Sequence, residues 1–418
     1  MIMKITKTTN HRWIVICLLF VITAINYIDR SSISYAITAI SDEFTIDSRD
    51  IGLILGAFGI GYVFTTLIGG ICADLYGAKK TFLISIFFWS LALVFTGAAS
   101  GVIMLIAARV ILGLAEGPNF PAMTRAISDW LPERERNRAL SFALISVPLA
   151  LAVGSPLSAF LIENYTWRGA YYILAVISFI WIPVWLLLFN NKPDDSRFVN
   201  KAELDYINSD NTIISKLENS EKPWKVLLFN KTLLVNNFAF FVFGYYLFFF
   251  MTWMPSYLKK VYQLDLMQIG YYAMLPWIFA AILMWVVGTL SDFLYKKTKC
   301  LRISRTYPIF FSHLLAAISI IPIIFQPSLN VAMVFLSLAV AFAMSANAAY
   351  YAVNIDIAKE RAGTSLGVME VLLAISGFVS PYLTGVIISI MGQFSVAFVL
   401  LSILAFAASL LTILFHNK

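Results

Sequence analysis

Charge is scarce in this chain. Only 13% of its 418 residues are Asp, Glu, Lys or Arg, against about 25% in an ordinary soluble protein. With 60% hydrophobic residues and a mean hydropathy of +0.82, that shortage excludes a water-soluble globule and points to a polytopic membrane protein. Cysteine is scarce too. Cys17, Cys72 and Cys300 lie in or beside apolar runs or in a basic loop, so neither a disulfide pair nor a metal cluster is expected. No nucleophile–base pairing or metal-binding pattern occurs, which argues against an enzyme and against any cofactor. No cleavable signal is expected either. The first apolar run is longer than a signal's apolar core and continues into Asp29-Arg30. The net charge of +7 would suggest a nucleic-acid partner in a soluble chain. Here it reads as basic loops on one side of a bilayer, with no nucleic acid involved.

What is abundant is long apolar runs. A spanning helix needs about 20 such residues. Twelve runs qualify, at residues 14–35, 51–73, 81–100, 102–122, 139–162, 170–189, 233–255, 267–289, 307–325, 331–353, 366–390 and 396–415. With the N-terminus placed inside, the inside segments hold 24 of the 30 Lys and Arg and the outside segments hold four. That asymmetry predicts both termini cytoplasmic and an even number of spans. The polar stretch 190–231 divides the spans six and six. It reads as a tethering linker with a surface helix near 201–217.

The two halves echo each other. Gly70-x-x-x-Asp74, followed by Gly77 and Lys79-Lys80, recurs as Gly288-x-x-x-Asp292 followed by Lys296-Lys297. Glu135-Arg136 and Glu360-Arg361 each lead into a span. The expected fold is therefore an all-α membrane protein of twelve transmembrane helices in two pseudo-symmetric six-helix bundles, 1–190 and 231–418, joined by a cytoplasmic linker at 191–230. A duplicated unit of this kind is the pattern of a carrier whose solute sits between two rocking halves.

Four ionisable residues interrupt the apolar runs. Asp29 and Arg30 lie in the first span, Arg109 and Glu116 in the fourth. On insertion scales each costs about 2.5–3.5 kcal/mol at a helix centre, so each marks a solute or proton path or an interhelical bridge. Arg109 and Glu116 are two helical turns apart, about 10.5 Å, and project from one face. Asp29 and Arg30 are about 100° apart and cannot point the same way. One arrangement satisfies all four. Asp29 and Glu116 are the proton-labile carboxylates, while Arg30 and Arg109 are their partners or anion receptors. A carboxylate buried beside another can hold a proton near neutral pH, and a guanidinium presents a planar fork to a carboxylate. A static bridge between helices is the competing reading.

The segment Gly70…Asp74…Gly77…Lys79-Lys80 resembles the cytoplasmic signature of the major facilitator superfamily. Leu75 and Ala78 stand where that family commonly has Arg. Asn26-Tyr27-Ile28-Asp29-Arg30-Ser31, Arg109 through Glu116-Gly117-Pro118-Asn119-Phe120-Pro121, Trp130-Leu131-Pro132, Trp167-Arg168 and Thr252-Trp253-Met254-Pro255 are similar to the anion:cation symporter family within it. That family contains bacterial sugar-acid/proton symporters and the animal sialic acid and vesicular glutamate carriers. The resemblance implies a gating role for Gly70, Asp74, Gly77, Lys79, Lys80, Gly288 and Asp292, proton coupling through Asp29 and Glu116, and anion binding by Arg30 and Arg109. It places the hydroxyls of Tyr27 and Tyr62 toward the solute. It also implies a monomer, while the short linker and the lack of long tails fit a bacterial inner membrane.

Tyr246 and Asn347 are candidate solute contacts from the second half, with Tyr245 and Tyr350 as neighbours. Gly113, Gly117 and Pro118 should let the fourth span pack closely and bend. His313 reads as a hydrogen-bonded packing residue. Glu370 stands where the family often has Asn. It can bind an ammonium, hold a proton or pair with an Arg of the first half. The leading expectation is proton-coupled symport of a small carboxylate-bearing solute such as a sugar acid. The alternatives are amino-acid import, export by proton antiport, and a sensor or scaffold with a transporter fold.

Overall fold

A computed structural model describes residues 8–209, 230–358 and 362–416. Nearly all of them are helical, and no strand occurs among them. Between its ends a helix satisfies its backbone donors and acceptors internally, as a bilayer interior requires. In chain order they are α1 His11–Phe44, α2 Ser48–Gly97, α3 Val102–Glu116, α4 Asn119–Trp130, α5 Glu133–Leu188, α6 Lys201–Asn208, α7 Lys231–Tyr262, α8 Leu266–Thr298, α9 Tyr307–Ile324, α10 Leu329–Ser345, α11 Asn347–Ala358, α12 Ala362–Met391 and α13 Ser395–Phe415.

Two helices are too long to be single spans. The 56 residues of α5 would measure about 84 Å if straight, against a hydrocarbon core of about 30 Å. α5 breaks at Thr166 (φ 63°, ψ 166°) and α2 breaks at Gly77 (φ 80°, ψ 160°). Both breaks fall between expected spans, two and three in α2, five and six in α5.

Two other expected spans are each divided. The fourth was expected to end near residue 122, but α3 stops at Glu116 and α4 carries the chain on to Trp130. Pro118 lacks a backbone N–H, so the hydrogen-bond ladder is interrupted there. The tenth is interrupted at Ala346, between α10 and α11. The repeat seen in the loops thus extends to matching breaks in the fourth and tenth spans.

The linker is more than a tether over its described part. Glu203 of α6 is fully buried. It accepts the backbone N–H groups of His11 and Arg12, each at 3.1 Å, and pairs with the Arg12 guanidinium at 2.9 Å. A side chain more than 190 residues away therefore caps the start of α1, satisfying amides that a helix N-terminus leaves open. Arg12 also meets Glu135 at 3.1 Å, and Tyr206 donates to Glu135 at 2.7 Å. The expected surface helix is α6 over its first residues, Lys201–Asn208; residues 210–217 and the Glu360-Arg361 pair lie outside the described residues.

Helices on the two sides of the linker meet along α2–α12, α5–α8 and α1–α7. The contact is closest at the end remote from the linker. A Cβ on Gly52 would stand 2.8 Å from the Pro381 carbonyl oxygen and 2.9 Å from Gly385 Cα. Only the absence of a side chain allows backbones this near. At the linker end the picture reverses. The side chains of Asp74 and Asp292 are each 70% exposed, and each pairs at 3.1 Å with an arginine of its own half, Asp74 with Arg125 and Asp292 with Arg305.

Candidate functional site

The central charges sort themselves by the 100° step between neighbours on α1. Arg30 turns toward α2 and α3. Its Nε and Nη2 donate to Glu116 Oε2 at 3.1 and 3.0 Å, and Nη2 also donates to Asn26 Oδ1 at 3.0 Å. The guanidinium carbon lies 4.3 to 4.9 Å from the ring centres of Phe58, Tyr27 and Tyr62. Both charged side chains are excluded from solvent. Asp29 turns instead toward α5, where Ser178 Oγ donates to its Oδ2 at 2.8 Å.

Of the two roles left open for the arginines, partner or anion receptor, Arg30 has the partner's place and Arg109 does not. Arg30–Glu116 is the one ion pair among the four groups. Arg109 reaches only the Arg30 carbonyl oxygen, 3.3 Å from its Nη2, and its Nε and Nη1 have no hydrogen-bond partner. Glu116 Oε1 and Asp29 Oδ1 are likewise unpartnered and buried. Although Arg109 and Glu116 share a face of α3, two turns of helix separate them, and α1 fills the space with Arg30. The outcome is a poised site. One pair is neutralised, while one carboxylate and one guanidinium wait without counter-charges.

Small residues set this geometry. Gly113 packs against the Phe58 carbonyl and Gly117 against Thr65, so α2 and α3 lie backbone to backbone. The expected close packing and bend of the fourth span are both present.

Between the halves lies a small cavity of about 30 Å³, lined by Tyr27, Phe120 and Pro148 on one side and by Phe240, Trp277, Asn347 and Tyr351 on the other. That is far below the roughly 300–1,000 Å³ of a ligand pocket, so a solute must enter by moving the walls. Asn347 Oδ1 has no partner. Near the cavity, Tyr351 donates its hydroxyl to Glu370 Oε1 at 2.5 Å, while Glu370 Oε2 has no partner. Tyr62 is buried under Arg30 with its hydroxyl unpartnered.

Tyr246 lies elsewhere. It turns toward α13 and donates to the Leu401 carbonyl oxygen at 3.1 Å. His313 is held by the Ala239 carbonyl oxygen at 3.1 Å and the Tyr350 hydroxyl at 2.9 Å, the packing role expected of it. Lys79 of the gating segment binds back to the start of the linker. Its backbone N–H donates to Asn191 Oδ1 at 2.8 Å and its Nζ donates to Asn190 Oδ1 at 2.9 Å. Lys80 is exposed, a Cβ on Gly70 would stand 3.9 Å from Pro121 Cβ of its own half, and a Cβ on Gly288 would meet nothing within 4 Å among the described residues. Sequence reasoning did not single out Ser178 or Phe58 as site residues. A serine or phenylalanine in an apolar span carries no signal until the fold brings it beside a charge.

Comparison with known proteins decides the class. The sequence profile of the Major Facilitator Superfamily matches residues 19–381. The chain belongs to the major facilitator superfamily. It is 32% identical over 399 residues to a probable sulfoacetate transporter of Cupriavidus necator, covering 95% of this chain and 92% of that protein. It is also 32% identical over 408 residues to a hexuronate transporter of Bacillus subtilis, covering 96% and 94%. A solved structure of a bacterial homologue of the human lysosomal transporter Spinster superposes with a TM-score of 0.72 at 16% identity, over 98% of this chain and 96% of that one. The protein is thus a multi-pass membrane transporter of this superfamily and not an enzyme. The fold and family expected from the motifs are the ones found.

Proposed function

We propose that the protein carries a small carboxylate-bearing solute together with protons by alternating access. The observation that carries this reading is the Arg30–Glu116 pair, buried at the centre and bonded at 3.0 and 3.1 Å. A proton on Glu116 removes the counter-charge of Arg30 and leaves a guanidinium fork ready for a carboxylate. Asp29, held only by Ser178, is the second proton carrier, and Arg109 the second anion receptor. The loaded site is nearly neutral, so the halves can close over it without burying net charge. Release of solute and proton on the other side restores the Arg30–Glu116 pair. The sugar-acid class is supported by the hexuronate transporter and by a probable galactarate/D-glucarate transporter of B. subtilis, 32% identical over 419 residues.

In this reading residues 1–190 and 231–418 are the two rocking units. Gly52 and Gly385 seal one end, while Gly70, Asp74, Gly77, Lys79, Lys80, Gly288 and Asp292 gate the linker end. The charge asymmetry of the loops supports both termini being cytoplasmic in a bacterial inner membrane. The working unit is a monomer. Proteoliposomes test the coupling. Glu116→Gln should abolish accumulation driven by a proton gradient yet leave exchange of labelled for unlabelled solute. Unchanged accumulation in that variant would refute the scheme.

A further inference from the structure

Glu370 is a carboxylate that the proton and anion steps above do not use. It lies on α12, one turn before the cavity-lining Leu373. Tyr351 occupies its Oε1. Its Oε2 touches neither solvent nor a hydrogen-bond partner, and Glu370 makes no ion pair among the described residues. An anionic oxygen left this way is costly unless it holds a proton or receives a cation. The surroundings favour a cation. Tyr351 packs edge-on against Phe240, with ring centres 5.7 Å apart, and both line the cavity with Trp277 and Tyr27. An aromatic-lined cavity with a carboxylate behind its wall is a setting in which an ammonium binds well. Asn347 Oδ1, also unpartnered and in the cavity wall, is a second acceptor pointing to a donor-rich group. Tyr27, whose ring lies 4.5 Å from the Arg30 guanidinium carbon, lines the cavity from the first half, and Tyr351, bonded to Glu370, lines it from the second. A cation, Arg30, thus stands behind the Tyr27 wall and a carboxylate, Glu370, behind the Tyr351 wall.

We propose that Glu370, with Tyr351 orienting it and Asn347 in the same cavity wall as Tyr351, receives a protonated nitrogen of the transported solute, so that the solute is zwitterionic: an acid that also carries an amine. This rests on the reading of Arg30 as the carboxylate receptor. Tyr351 donates to one carboxylate oxygen and so turns the other toward the incoming N–H groups. A solute bound at both Arg30 and Glu370 bridges the halves, which is how binding can favour their closure.

The test uses the full-length purified protein and matched acids with and without an amine: succinate and aspartate, butyrate and 4-aminobutyrate, gluconate and 2-amino-2-deoxygluconate. Protection against thermal unfolding reads binding, and competition in proteoliposome exchange reads transport. At least one amine-bearing acid should bind about tenfold or more tightly than its partner, the factor that a charge-assisted hydrogen bond supplies. Glu370→Gln should erase that preference, and Glu370→Asp should retain part of it. Because Glu370→Gln keeps shape and hydrogen bonding, loss of preference with an unchanged unliganded melting temperature separates recognition from folding. If no amine-bearing acid in the panel outbinds its partner, or if Glu370→Gln keeps the preference, the proposal is wrong. If amine-free acids accumulate with protons and Glu370→Gln only lowers the protons carried per solute, Glu370 is a proton site; the zwitterion proposal then falls while symport stands. Loss of proton-driven accumulation for every acid would instead sink the symport reading.

Discussion

Arg30 and Glu116 separate a structural role from a transport role when each is replaced alone and then both together. Replacing Glu116 by Leu leaves the Arg30 guanidinium, whose side chain is 1% exposed, with one hydrogen bond to Asn26 and three aromatic faces. Removing one partner of a buried pair costs about 3–5 kcal/mol. The ring contacts are made in parent and variant alike, so they leave the difference unchanged and a loss of about 3–5 kcal/mol is expected. Arg30→Met leaves Glu116 without a partner, but a carboxylate can take up a proton, so its loss should shrink as the pH is lowered. The Glu116→Leu loss should not shrink, because a guanidinium stays charged. The double variant removes both charges and should unfold within about 1 kcal/mol of the parent or above it. It should not transport in any mode. Equilibrium unfolding in mixed micelles at two pH values measures all three. If the single variants are as stable as the parent, the pair is not buried as described. If the double variant still accumulates solute against its gradient, the pair is a static bridge.

Two further outcomes follow from the backbone and the linker. Gly77 and Thr166 both occupy a region of φ and ψ that is nearly confined to glycine, at a cost of roughly 1–3 kcal/mol for other residues; Gly77→Ala should destabilise by that amount, more because a Cβ there would press on the Asn191 side chain, and Thr166→Gly should stabilise by about 1 kcal/mol in the same unfolding assay. Glu203→Ala removes a buried partner of Arg12 and the cap of α1, so it should cost about 2–4 kcal/mol and raise protease cleavage within the linker; parent-like cleavage would show that α6 is not docked.

The membrane class was legible because it rests on sums. Twelve apolar runs and scarce charge can hardly be read otherwise, and each helix is local in its hydrogen bonding. The family was legible from short motifs whose residues stay close in sequence. Pairing was not. Asp29 and Arg30 are adjacent, yet one meets α5 and the other α3, and nothing local says which. The break at Pro118 was anticipated as a bend, but the continuation of α4 to Trp130 was not, since Arg125 and Asp129 lower the hydropathy there while pairing with each other at 2.9 Å.

The sequence by itself determined the apolar runs, including the two within each over-long helix, the repeat and the inventory of charge inside those runs, because periodicity, composition and insertion cost act over neighbouring residues. Only the tertiary structure decided that Arg30 takes Glu116, that Asp29 and Arg109 stand without counter-charges, that Glu203 caps α1 from across the chain, and that Glu370 keeps one oxygen open near the cavity. Those facts depend on which face of one helix meets which face of another. That is set by close approaches such as Gly113 on Phe58 and Gly52 on Pro381, between residues far apart in the chain.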